Sequence, residues 1–128
     1  MGAPARFFLL IAGINGALVV ALGAFGAHFL KTRLPPEMMA VYHTGILYHA
    51  IHALGLLAIG VVVGWLPGSG FLRAAGWTML GGILVFSGSL YLLSVTGARW
   101  LGAITPVGGT AFIVAWLLFC VAVLRAPD

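Results

Sequence analysis

Four long apolar stretches constrain this chain more than any other feature of its sequence. They run from about residue 7 to 30, 38 to 65, 71 to 95 and 100 to 124. A helix needs about 20 mostly apolar residues to cross the hydrocarbon of a bilayer, and each stretch meets that length. Their charged residues sit only near the ends. A charge at the bilayer centre costs roughly 2.5–3.5 kcal/mol on insertion scales, so this placement predicts four transmembrane helices. The balance of residue types agrees. Hydrophobic residues make up 62% of the 128 positions and charged ones 6%, against about 25% charged in a soluble domain. Six Lys or Arg and two acidic residues cannot cover a water-facing globule of this size, and lipid is the solvent that suits the rest.

The connections are short. Residues 31–37 contain Pro35 and Pro36, which stop one helix and open the next. Pro67, Gly68, Ser69 and Gly70 form a second turn, and residues 96–100 a third. Pro106 either kinks the fourth helix or marks its first turn, with Thr105 as cap. Short connections force antiparallel neighbours, so the expected fold is an all-α, up-down-up-down four-helix membrane bundle. It forms one transmembrane domain over residues 1–128, with both termini on one side. That terminal face carries Arg6, Arg73 and Arg125, and the opposite face Lys31, Arg33 and Arg99. The positive-inside count is tied and assigns no orientation. Arg6 followed by an apolar run also has the layout of a signal peptide, with small residues near 23–27; a retained span is the preferred reading.

Scattered basic residues argue against nucleic acid, which needs a basic patch or stripe. The single Cys120 allows no internal disulfide. The second stretch carries most of the polar chemistry. At 100° per residue, Tyr42, Thr44, Gly45, Tyr48, His49 and His52 fall on an arc narrower than a half-turn. Polar groups within membrane segments usually face the bundle interior, so this arc is expected to point inward. By depth, His52 and Asn15 lie near the midplane. His49, Ser87, Ser89 and Tyr91 lie in the half nearer the 31–37 and 96–100 loops, and His28 and His43 near that face. The candidate polar interior is therefore His28, Tyr48, His49, His52, Ser87, Ser89, Tyr91, Arg99 and Thr105. Any pocket is expected on that side.

His49 and His52 are spaced like metal or haem ligands, but catalytic zinc needs three protein ligands and an open position. Neutral histidines bonding to neighbouring helices fit the same spacing, and such bonds commonly tie membrane bundles together. Ser87 and Ser89 read as part of a small-residue seam, because Glu37 in a loop and Asp128 at the terminus offer no carboxylate to orient a histidine base. Gly60 and Gly64, with Gly13, Ala17 and Ala21, allow close backbone approach to sister helices or to a second copy, intramolecular packing being the simpler expectation. Trp65, Trp77 and Trp100 suit interfacial anchoring, and Trp116, lying deeper, suits packing.

Residues 23–28 (GAFGAH), 48–54 (YHAIHAL), 86–93 (FSGSLYLL) and 96–109 (TGARWLGAITPVGG) together resemble the YgdD-like small inner-membrane proteins, a family of unknown function. The resemblance extends over nearly the whole chain. It implies a four-span, multi-pass protein of the bacterial inner membrane, and implies no activity or cofactor. The expected function is that of a non-enzymatic bundle acting as accessory or interaction partner of another membrane protein, or as a homo-oligomer through its small-residue faces. The alternative is binding or transport of a small molecule, lipid, ion or proton through the polar interior.

Overall fold

The computed structural model describes residues 1–127, and Asp128 lies outside them. Helix α1 spans Ala3–His28 and α2 spans Pro36–Trp65. The third membrane crossing is α3, Gly70–Gly82, continued by a π-helical segment at Ile83–Ser87 and by α4, Gly88–Thr96. The fourth opens with a 3-10 turn at Arg99–Ala103 and continues as α5, Thr105–Leu124. No strand occurs among the described residues. The four crossings of 26 to 30 residues are long and apolar enough to span a membrane.

Local chemistry ends each helix. After α1 the chain tightens into a 3-10 turn at Leu30–Thr32, where Arg33 donates from Nη1 to the Phe29 carbonyl at 3.0 Å. Its guanidinium lies 3.7 Å from the centre of the Phe29 ring, so one side chain both caps a carbonyl and makes a cation–π contact. Pro36 opens α2 and Glu37 occupies its first turn, where a negative charge suits the helix dipole. The Ser69 hydroxyl accepts the Leu72 N–H at 3.3 Å and caps α3. Gly97 ends α4 in the left-handed region, at φ 70°, the conformation glycine adopts without a Cβ penalty. Pro106 stands in the first turn of α5, where its missing N–H removes nothing the helix needs. The 100–124 stretch is thus not one α-helix: the preceding turn is 3-10, and Thr105 is the first residue of α5, not its cap. The π segment was not expected from the sequence either, because no local signal marks one.

The two middle crossings form the centre of the bundle. In their most apolar windows 44% of the second and 39% of the third are buried, against 17% of the first and 22% of the fourth. The outer helices therefore present most of their surface to lipid. Leu10, Ile14, Val20, Leu84, Val107, Ile113 and Leu117 are all more than half exposed, an apolar surface far beyond what a water-soluble monomer carries. All six Lys and Arg side chains are exposed at the ends.

The interior is divided by chemistry. Its terminal half is a close-packed apolar core of Phe8, Leu56, Ile59, Val63, Leu72, Met79, Ile83 and Phe112. Small residues let it close. The Phe8 ring lies on Gly76, where a Cβ would collide with it, and Gly60 sits against the Leu9 backbone. Gly60 is thus used to pack α2 on α1, whereas Gly13 has nothing within 4 Å of a Cβ built on it. With Ala5, Phe8, Ala12 and Asn15 buried, α1 is packed into the bundle in the manner of a span.

Candidate functional site

Polar side chains fill the other half of the interior, and α2 is their hub. Its buried stripe runs through Tyr42, Gly45, His49, His52, Leu56, Ile59 and Val63, three or four residues apart as one helix face requires. His49 stands between two neighbours. Its Nε2 lies 2.9 Å from Asn15 Oδ1 on α1 and its Nδ1 2.9 Å from the Tyr91 hydroxyl on α4. The Asn15 amide nitrogen donates to the Ile11 carbonyl at 2.8 Å, which fixes the amide's orientation and leaves its oxygen facing His49. An amide oxygen only accepts, so His49 donates from Nε2 and, as a neutral imidazole, accepts the Tyr91 proton at Nδ1. One neutral imidazole thereby joins three crossings.

His52 carries its proton on the other nitrogen. Nδ1 donates to the Tyr48 carbonyl at 2.7 Å, and Nε2 accepts the Trp116 indole N–H from α5 at 3.2 Å. Its ring stacks on Phe112 at 3.5 Å between centroids and 8° between planes. A cation at His52 would turn its accepting Nε2 into a donor facing the Trp116 N–H, so the geometry requires that ring neutral. The Tyr91 hydroxyl, which can donate or accept, sets no such demand on His49.

Further bonds join the same layers. Ser87, in the π segment, donates to the Gly45 carbonyl at 2.8 Å. Ser89 and Thr105 lie 2.7 Å apart and tie α4 to the start of α5. Ser94 donates to the Tyr91 carbonyl, and the Tyr42 hydroxyl to the Leu22 carbonyl of α1. Tyr42 reaches α1 because Gly26 has no side chain there; a Cβ would lie 2.5 Å from the ring. Likewise a Cβ on Gly45 would lie 2.9 Å from the Tyr91 ring. Among the described residues no buried side-chain nitrogen or oxygen lacks a hydrogen-bond partner.

The candidate residues separate into those that meet and those that do not. His49 and Tyr91 are bonded to each other, and Ser87 holds the α2 backbone at Gly45 one turn away. His52 sits one turn below His49, and Ser89 with Thr105 closes the α4–α5 side. His28 is exposed on the last turn of α1 and belongs to none of these groups. Tyr48 and Thr44 face outward, contrary to the inward arc expected of α2. They stand at one edge of that arc. Thr44 returns its hydroxyl to its own helix at the Ala40 carbonyl, so burial is not needed to satisfy it. Arg99 is also outside the interior, 4.0 Å from Glu37, with both side chains more than two-thirds exposed. Such a pair adds little, and Arg99→Gln is expected to leave the melting temperature in detergent essentially unchanged, as read by a thermal scan of the purified protein.

Three network members were not candidates: Asn15, Tyr42 and Trp116. Two of them carried a signal, since Asn15 is the one strongly polar residue far from the ends of the first stretch and Trp116 the one tryptophan far from an end. Among the described residues no three His, Cys, Asp or Glu side chains form a group able to hold a metal ion. Two cavities stand out, and neither is walled by the candidates. One, of about 470 Å³, lies on the terminal face between Trp65, Phe71 and Arg125. The other, of about 380 Å³, is an apolar groove between α1 and α2 over Gly13, Gly16 and Ala53.

The comparisons with known proteins agree with this membrane architecture. Residues 22–109 match the sequence profile described as "Protein of unknown function (DUF423)". The chain is 48% identical over 120 residues to the UPF0382 membrane protein YwdK of Bacillus subtilis (strain 168), covering 94% of this chain and 98% of that one. It is 42% identical to a UPF0382 membrane protein of Staphylococcus epidermidis, covering 94% and 97%. Over 120 residues it is 39% identical to the UPF0382 inner membrane protein YgdD of Escherichia coli (strain K12), covering 94% and 91%. No solved structure matches the chain. With four apolar crossings and relatives of this kind, it is a multi-pass protein of the bacterial inner membrane, and it belongs to the DUF423 family of proteins of unknown function.

Proposed function

We propose that the protein is a non-enzymatic helical bundle that serves as an accessory or interaction partner of another membrane protein. The observation that carries this reading is the completeness of the interior. Every buried polar side chain among the described residues is engaged by its neighbours, including both nitrogens of His49 and of His52. Groups engaged in this way hold helices in register and leave no donor or acceptor aimed at a substrate. Ser87, the most buried serine, gives its proton to the Gly45 carbonyl, where no base could activate it. Binding or transport through the polar interior draws less support, because a ligand there would have to break bonds already made.

The outer surface supplies the rest of the support. Helix α1 buries 17% of its most apolar window, and its Gly13 and Gly16 are open to lipid, with nothing within 4 Å of an added Cβ. Small residues let a neighbouring transmembrane helix approach closely. Excision of the natively expressed protein in lipid discs, followed by mass spectrometry, tests the reading. A membrane protein is expected in a fixed ratio with the wild type and lost with the double variant Gly13→Leu, Gly16→Leu, whose own melting temperature stays unchanged. Recovery of the wild type alone in its native lipids would sink it.

A further inference from the structure

Of the three tyrosine hydroxyls, those of Tyr42 and Tyr91 are bonded and one stands apart. The Tyr48 side chain is 39% exposed on the lipid-facing surface, and its hydroxyl has no hydrogen-bond partner among the described residues; only its backbone carbonyl is engaged, by His52. Depth makes this unusual. α2 runs from Pro36 to Trp65, so at 1.5 Å per residue Tyr48 lies about 4 Å from the helix midpoint. The hydrocarbon core extends about 15 Å to either side of the midplane. Even with the phenol extended along the helix toward the nearer interface, its hydroxyl stays within the hydrocarbon. An unpaired hydroxyl in hydrocarbon is unfavourable.

The surroundings define what would pair with it. The Tyr48 ring lies 4.6 Å from Phe86 and, nearly parallel, 6.1 Å from His52 between centroids. His52 stacks in turn on Phe112, and Trp116, itself 38% exposed, lies 6.1 Å from His52. Planar rings thus converge from α2, the π segment and α5 around one hydrogen-bond donor at mid-membrane depth. Phospholipid esters lie at the interface, too far away to accept from it. A carbonyl of a passing helix could take a second bond, as those of Leu22 and Gly45 do here. The flat rings flanking the hydroxyl, however, match a planar ligand better than a helix surface.

From the unpartnered Tyr48 hydroxyl set among stacked rings, we infer that Tyr48 and Trp116 frame a lipid-facing site for a membrane-dissolved ligand bearing a carbonyl on a planar ring, the chemistry of a quinone headgroup. The Tyr48 hydroxyl donates to the carbonyl, and the exposed rings of Tyr48 and Trp116, backed by the buried His52 and Phe112, receive the ligand ring by offset stacking. The inference concerns binding alone. It goes beyond the accessory reading and does not depend on it, since the site lies away from the α1 groove.

Trp116 supplies the readout. In a variant with Trp65, Trp77 and Trp100 changed to Phe, all three exposed, Trp116 is the sole tryptophan. This protein in lipid nanodiscs is titrated with a short-chain ubiquinone and, separately, a short-chain menaquinone. Saturable quenching of Trp116 is expected with at least one of them. Adding Tyr48→Phe, which keeps the ring and removes the hydroxyl, is expected to raise the half-saturation concentration tenfold or more at an unchanged melting temperature. Infrared spectra with a carbonyl-labelled quinone give a second reading: a hydrogen-bonded carbonyl band present with Tyr48 and absent with Phe. Linear quenching that is the same with and without the hydroxyl would overturn the inference. So would a dimer of the chain that Tyr48→Phe dissociates, because a second copy would then be the hydroxyl's partner.

Discussion

Gly108→Leu is expected to abolish the folded bundle. At Gly108, in the first turns of α5, a Cβ would fall on the backbone nitrogen and Cα of Phe86 in the π segment. Backbone atoms cannot rotate aside as a side chain can, so even one methyl group must push α5 off the third crossing. The adjoining contacts would separate with it. A Cβ on Gly82 would lie 3.3 Å from the Gly108 carbonyl oxygen and collide with the Phe112 ring. Overpacking typically costs about 1–3 kcal/mol, against a gain of at most about 1 kcal/mol from replacing a helical glycine by alanine. Gly108→Ala should therefore lower the melting temperature measurably, and leucine should leave no monodisperse species in detergent. Gly16→Leu, with nothing within 4 Å of its Cβ, is the neutral control. An alanine variant that melts at or above the wild-type temperature would show that α5 does not touch Phe86 in this way.

His49→Leu is expected to produce the second large loss, for electrostatic instead of steric reasons. The substitution leaves the Asn15 amide oxygen and the Tyr91 hydroxyl without their partner. A buried polar group left unpaired costs roughly 1–3 kcal/mol, while interhelical hydrogen bonds in membranes average about 0.6 and reach about 1.7 kcal/mol. Two orphaned groups together should cost about 2–4 kcal/mol, measurable by unfolding in a mixed detergent. His49→Gln, which keeps a donor and an acceptor, should retain most of the stability. The diagnostic is non-additivity: His49→Leu combined with Asn15→Leu should be less destabilised than the two single losses summed, because the second change removes the orphan left by the first. Strict additivity would contradict the bond between α1 and α2.

The fold was legible in the sequence because the bilayer imposes a simple test. A span must be long, apolar and free of central charge, and the four stretches pass whatever their neighbours do. Prolines and glycines announced the turns for equally local reasons. The interior polar network was legible in part. Helical angle placed His49, His52, Gly45 and Tyr42 on one face, and depth placed Ser87, Ser89 and Tyr91 in the same half. Angle alone could not say where along that arc burial stops. Thr44 and Tyr48, at its edge, face lipid, because the width of the buried stripe is set by how α1 and the third crossing seat against α2. The partners Asn15 and Trp116 were present in the sequence only as polar outliers in apolar surroundings.

The π segment at Ile83–Ser87 belongs to the same class of unreadable features. It lies where Gly108 brings α5 against the backbone, a contact between residues more than twenty positions apart that no local pattern encodes. The amino-acid sequence by itself determined the solvent, the number of crossings, their antiparallel order and which half of the interior is polar. All of these follow from hydrophobicity, length and helical period. Only the tertiary structure decided which nitrogen of each histidine carries the proton, which glycines are covered by a ring and which by lipid, and which tyrosine hydroxyl is left to face the membrane. Those depend on atoms brought together from different helices, and hydrogen bonds and steric contacts act only at that range.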